Sequence, residues 1–68
     1  MAYVLCTVTE VSRRSLTVSP VGGRDKADIF IYRSESFVPK NIQGGDEVTV
    51  ETTGDTTFTG RQRGKIIS

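Results

Sequence analysis

No stretch of this chain repeats its apolar residues at i, i+3, i+4 and i+7 over the length of a helix. Apolar and polar residues alternate instead, and the clearest run is Asp28-Ile29-Phe30-Ile31-Tyr32-Arg33-Ser34. Side chains of a strand point alternately to its two faces, so Ile29 and Ile31 share one face while Phe30 and Tyr32 share the other. Two β-branched aliphatics suit a core. Two aromatics followed by Arg33, in an otherwise polar chain, require a different account. Either a second hydrophobic layer covers them, with the 33–42 segment and Phe37 as the cover, or they stand in solvent as flat surfaces for a ligand to stack on.

The same period of two recurs along the chain. Tyr3 to Val11 is rich in Thr and Val, which fit a pleated surface. Val4, Cys6 and Val8 fall on one face, and the apolar phase then slips at Glu10-Val11, so a long first strand with a bend or bulge is expected. Ser12-Arg13-Arg14 reads as a polar turn into a second strand, Ser15 to Ser19, which Pro20 stops because it has no amide proton. Residues 20–26 form a loop carrying Arg24 and Lys26. The third strand spans Ala27 to Tyr32. Pro39 and the irregular spacing of Phe37, Val38 and Ile42 make 33–42 a loop with one short helical turn. Gly44-Gly45-Asp46 turns the chain into Glu47 to Thr52, and Thr53-Gly54-Asp55-Thr56 is read as a hairpin turn. Phe58 to Ile67 then closes the domain as the fifth strand, with an interruption expected near Gly60. Five strands with one long connection between the third and fourth indicate an all-β fold, a small barrel or sandwich.

With 68 residues there is room for one core, hence one domain over residues 1–68. The single cysteine excludes an intramolecular disulfide, and with no His and one Cys there is no zinc set. No metal or other cofactor is expected. The segment Met1-Ala2-Tyr3-Val4-Leu5-Cys6-Thr7 has no basic leader and is too short for a signal core or a membrane span, so a cytoplasmic protein without membrane partners is the expectation. A net charge of +1 gives no global field, and any attraction to nucleic acid has to be local. Without His to activate Cys6, and with carboxylates on turns and outward positions, an enzyme is not expected. Gly22-Gly23 lacks a following helix and Lys-Ser/Thr, and is read as a turn rather than a phosphate loop.

In detail the chain resembles the bacterial cold-shock domain, an OB-fold, over nearly its whole length. That family carries Asp-Val-Phe-Val-His-x-Ser on its third strand, where this chain has Asp28-Ile29-Phe30-Ile31-Tyr32-Arg33-Ser34. Before its fourth strand the family runs Leu-x-x-Gly-x-x-Val-x-Phe, matched here by Ile42-Gln43-Gly44-Gly45-Asp46-Glu47-Val48-Thr49-Val50. Its ending, Lys-Gly-Pro-x-Ala-x-x-Val, is matched by Thr59-Gly60-Arg61-Gln62-Arg63-Gly64-Lys65-Ile66. The second strand departs. The family's Lys-Gly-Phe-Gly-Phe-Ile-x-Pro becomes Arg13-Arg14-Ser15-Leu16-Thr17-Val18-Ser19-Pro20, so both outward stacking aromatics are replaced, by Ser15 and Thr17. Glu10 stands near the place of the family's first-strand Trp.

The resemblance implies a five-stranded antiparallel OB-fold barrel that binds single-stranded RNA or DNA. Phe30 and Tyr32 would stack on bases; Arg33, Arg13, Arg14, Lys26, Arg61, Arg63 and Lys65 would contact phosphates. RNA chaperoning or regulation of transcription or translation is the work so implied. Each stacked base contributes roughly 1–3 kcal/mol, so a reduced platform predicts affinity on the order of micromolar or poorer. Bland readings stand beside these: Arg61, Arg63 and Lys65 also suit a solvated strand that deters edge pairing, Arg13-Arg14 a plain turn, and Cys6 a small core residue. Glu10, Asp25, Asp28 and Glu35 would repel phosphate. The alternative function is a protein-interaction module that kept the barrel and meets its partner through Phe30, Tyr32 and Phe37.

Overall fold

A computed structural model describes residues 2–22 and 27–67. The strands are β1 (Ala2–Val11), β2 (Ser15–Pro20), β3 (Ile29–Tyr32), β4 (Glu47–Thr56) and β5 (Gln62–Ile66), with a short 3-10 turn at Arg33–Glu35 after β3. They close into a barrel in the order β1-β2-β3-β5-β4, β1 pairing with β4 to complete it. Every pairing is antiparallel except that of β3 with β5, which is parallel. The result is a closed five-stranded barrel of the OB-fold type.

The alternation read from the sequence sets the inside of the barrel. Its buried core is Cys6, Val8, Leu16, Val18, Ile29, Ile31, Val48, Val50 and Ile66, with Val4, Val38 and Ile42 packed against it. All of these side chains are aliphatic or thiol. Phe30, Phe37, Phe58, Tyr3 and Tyr32, which comprise every aromatic residue of the chain, lie outside that core. The phase slip in β1 is a bulge: Val8 pairs with Val18 and Glu10 with Thr17, leaving Thr9 as the extra residue. The Thr9 hydroxyl donates to the Thr17 carbonyl at 3.1 Å. Such a bulge bends a long strand, which lets one strand serve two sides of a small barrel.

Three sequence expectations are corrected, the first being that Pro20 is the last residue of β2, in register with Cys6, rather than the stop beyond Ser19. Thr53-Gly54-Asp55-Thr56 is not the hairpin turn but the second half of β4, where the register against β5 shifts between Thr52 and Thr56. Local bonds explain the misreading: the Thr53 hydroxyl accepts from the Asp55 amide at 3.3 Å, as a turn residue would. The turn lies four residues later, at Thr57-Phe58-Thr59-Gly60, so the fifth strand begins at Gln62 rather than Phe58.

β5 approaches the core closely at Gly64. A Cβ there would lie 2.6 Å from Val50 Cγ1, 3.0 Å from Ile29 Cγ2 and 3.2 Å from the Glu51 carbonyl oxygen. Glycine at this position lets β5 settle between β3 and β4, with Arg63 and Lys65 pointing outward on either side.

Candidate functional site

On the outer face of the barrel, register places the residues of three strands side by side. Thr17 pairs with Phe30 and Ser15 with Tyr32 across β2 and β3, and Phe30 pairs with Arg63 across β3 and β5. Small polar side chains therefore flank the two rings on the β2 side, and a guanidinium flanks them on the β5 side. The rings of Phe30 and Tyr32 meet edge to face, with centroids 5.1 Å apart and planes at 72°. This arrangement suits the opposed charge of ring edge and ring face. Arg63 Cζ lies 4.8 Å from the centroid of Tyr32, over the ring, which is a cation–π contact.

The β4–β5 turn supplies a third ring. The Gly60 amide donates to the Thr57 carbonyl at 2.9 Å and the Thr57 amide to the Arg61 carbonyl at 2.7 Å. The Thr57 hydroxyl accepts from the Arg61 amide at 3.0 Å and lies 3.1 Å from the Thr59 hydroxyl. Gly60 closes the turn at φ +85°, a left-handed conformation that a side chain disfavours. Held at the tip of this turn, Phe58 is fully exposed at 104%. Its turn faces Phe30 and Tyr32 across an open groove of about 430 Å³, lined by Phe30, Tyr32, Thr57, Phe58, Thr59 and Arg61.

The expected site residues divide by where the barrel puts them. Phe30 and Tyr32 are half-buried side by side, Arg61 lines the groove, and Arg63 lies over Tyr32. Lys65 is exposed on the same strand, opposite Glu51. Arg13 and Arg14 are exposed at the β1–β2 turn. Arg33 ties that turn to β3: its Nε donates to the Ser12 carbonyl at 2.9 Å and its amide to the Arg14 carbonyl at 2.9 Å. Lys26 lies outside the described residues. Phe37 is 63% exposed and does not line the groove, and among the described residues the one ring pair is Phe30 with Tyr32. The 33–42 segment thus provides no aromatic cover for these rings.

Phe58 is the residue that sequence reading missed. Alternation puts it at the start of the fifth strand; Gly60, two residues on, is the local signal of an interruption, but nothing nearby shows that the resulting turn tip faces Phe30 and Tyr32.

Charge around the groove is uneven. Among the described residues the one ion pair joins Arg63 Nη2 to Glu35 Oε2, with the arginine side chain 27% and the glutamate side chain 49% exposed. Glu35 ends the 3-10 turn, and the next residue, Ser36, accepts the Ile66 amide on its hydroxyl at 2.8 Å. Glu35, Thr53, Asp55, Arg63, Gly64 and Lys65 line a second hollow of about 200 Å³, beside the aromatic groove. Among the described residues no group of His, Cys, Asp and Glu could hold a metal ion, and no helix is long and apolar enough to cross a membrane. No family model, no curated protein and no solved structure matches the chain.

Proposed function

We propose that this protein binds single-stranded nucleic acid through the face formed by β2, β3, β5 and the β4–β5 turn. The observation that carries the reading is the distribution of aromatics. Aromatic side chains bring the largest apolar surface a small core can bury, yet this core uses none of them, and three converge on one open groove beside Arg61 and Arg63. Flat rings in a solvent-open groove with cations at the rim are what bases and phosphates require.

In this reading Phe30 and Phe58 offer faces for bases. Arg63, lying on Tyr32, presents its guanidinium plane in place of the tyrosine face. Arg61, Arg63 and Lys65 meet phosphates, and Arg13 and Arg14 extend the basic rim at the β1–β2 turn. Ser15 and Thr17 contribute no rings, so the platform holds about two bases by stacking, roughly 2–6 kcal/mol in total. Stacking alone therefore gives a Kd of about 40 μM at best, and phosphate contacts have to supply whatever brings affinity to the micromolar range. The role is binding rather than catalysis. A reducing cytoplasm is the compartment this reading assigns, and regulation of transcription or translation is the work it suits.

The test is fluorescence anisotropy of labelled oligo-dT and oligo-U, since the chain has no Trp to report binding. Salt-sensitive binding that Phe30→Ala/Tyr32→Ala loses, with circular dichroism showing that the variant is folded, is the expected result. Each phosphate neutralised should contribute about 0.7 to the slope of log affinity against log salt. No binding at high micromolar protein in low salt overturns the proposal.

A further inference from the structure

We infer that Glu35 is a built-in competitor for phosphate at Arg63: it holds this guanidinium in the free protein, and a bound phosphodiester takes its place. The inference rests on the nucleic-acid reading above and names how that site is regulated from within.

Arg63 is fixed from three directions. Its backbone lies in β5, in register with Phe30. Its guanidinium lies over the Tyr32 ring at 4.8 Å, and its Nη2 is paired with the Glu35 carboxylate. A carboxylate and a phosphodiester both present paired oxygens to a guanidinium, so each satisfies the same N–H groups and the two exclude one another. The carboxylate is also held in place. Arg33 anchors the start of the 3-10 turn through the Ser12 and Arg14 carbonyls. Ser36 anchors its end by accepting the Ile66 amide, three residues beyond Arg63 on the same strand. Glu35 thus faces Arg63 from a short segment tied at both ends.

The pair is open enough to exchange. Nearly half of the Glu35 side chain and about a quarter of the Arg63 side chain are exposed, and the hollow of about 200 Å³ that they line opens beside the groove. An ion pair of this exposure is a modest contact that a multivalent anion can displace. Its effect is to lower affinity for a single isolated phosphate and to favour a strand that engages the rings and Arg61 at the same time.

Glu35→Gln keeps the shape of the side chain and removes its charge. Asp55→Asn serves as the control, because Asp55 lines the same hollow without an ion pair to Arg63. Both are measured against labelled oligo-dT and oligo-U at low salt, with circular dichroism to check folding, and Glu35→Gln is repeated in an Arg63→Gln background. Glu35→Gln should tighten binding on the order of fivefold and Asp55→Asn by less than about twofold, with the fivefold gain absent when Arg63 is Gln. Unchanged or weaker binding by Glu35→Gln while the wild-type chain binds overturns this inference alone. So does an equal gain from Asp55→Asn, or a gain that survives Arg63→Gln, since either assigns the effect to the general field. Absence of binding by both the wild-type chain and Glu35→Gln overturns the nucleic-acid reading and this inference with it.

Discussion

Gly64→Ala tests the placement of the whole proposed binding face, because it acts where β5 sits against the core. The added methyl would lie 2.6 Å from Val50 Cγ1 and 3.0 Å from Ile29 Cγ2. Carbon atoms in contact settle at about 3.5–4.0 Å, so roughly an ångström of movement has to be found at Val50. Val50 is fully buried, and its neighbours in the core leave it little room to turn. Overpacking of this kind costs about 1–3 kcal/mol. Restricting the unfolded chain by replacing glycine returns about 0.4–1 kcal/mol. The net loss is therefore about 1–2 kcal/mol, a large part of the few kcal/mol that a core of this size supplies. For a domain of this length it corresponds to a fall in Tm of roughly 5–15 °C. Urea denaturation followed by circular dichroism reads the change as a lower midpoint at an unaltered slope. Relief by shifting β5 would also move Arg63 away from Phe30 and Tyr32, so oligonucleotide affinity should fall in the same variant. A midpoint equal to or above that of the wild-type chain would refute the close packing of β5 against Val50 and Ile29, and with it the basis for the register Phe30–Arg63.

Two further outcomes separate the site from the scaffold. Phe58→Ala removes a ring that is wholly in solvent, so stability should change by less than about 0.5 kcal/mol while oligonucleotide affinity falls about tenfold; unchanged affinity in anisotropy would remove Phe58 from the site. Cys6 is fully buried, so a thiol reagent should label the native protein only as it opens, far more slowly than in urea, and prompt labelling under native conditions would contradict the core assignment.

Much of the scaffold was legible because its signal is local. The inward positions Leu16, Val18, Ile29, Ile31, Val48 and Val50 follow from alternation alone, and the bulge at Thr9 announces itself as a slip of that alternation between Val8 and Val11. The short helical turn expected after the third strand is present at Arg33–Glu35. The end of β4 escapes sequence reading for a reason that is also local. Thr53-Gly54-Asp55-Thr56 has turn chemistry, but the bonds it makes are spent on a bulge while pairing with β5 carries the strand on to Thr56. Pairing between distant segments overrode a four-residue preference.

The candidate site divides in the same way. That Phe30 and Tyr32 face away from the core follows from the period of a strand, since Ile29 and Ile31 claim the other face. Alternation therefore shows which side of β3 faces out and puts Arg63 and Lys65 on one face of β5, whereas Arg61, expected on that face with them, lies in the turn before the strand. What stands beside those rings was decided only by tertiary structure. The parallel pairing of β3 with β5 brings Arg63, thirty-odd residues away along the chain, to Phe30 and over Tyr32. Closure of the barrel turns the tip of the β4–β5 hairpin, with Phe58, toward the same groove, and the 3-10 turn delivers Glu35 to Arg63. Alternation is a property of neighbouring residues and can be read along a chain. Register and barrel closure depend on which distant strands gain most by pairing, and no short stretch of sequence contains that choice.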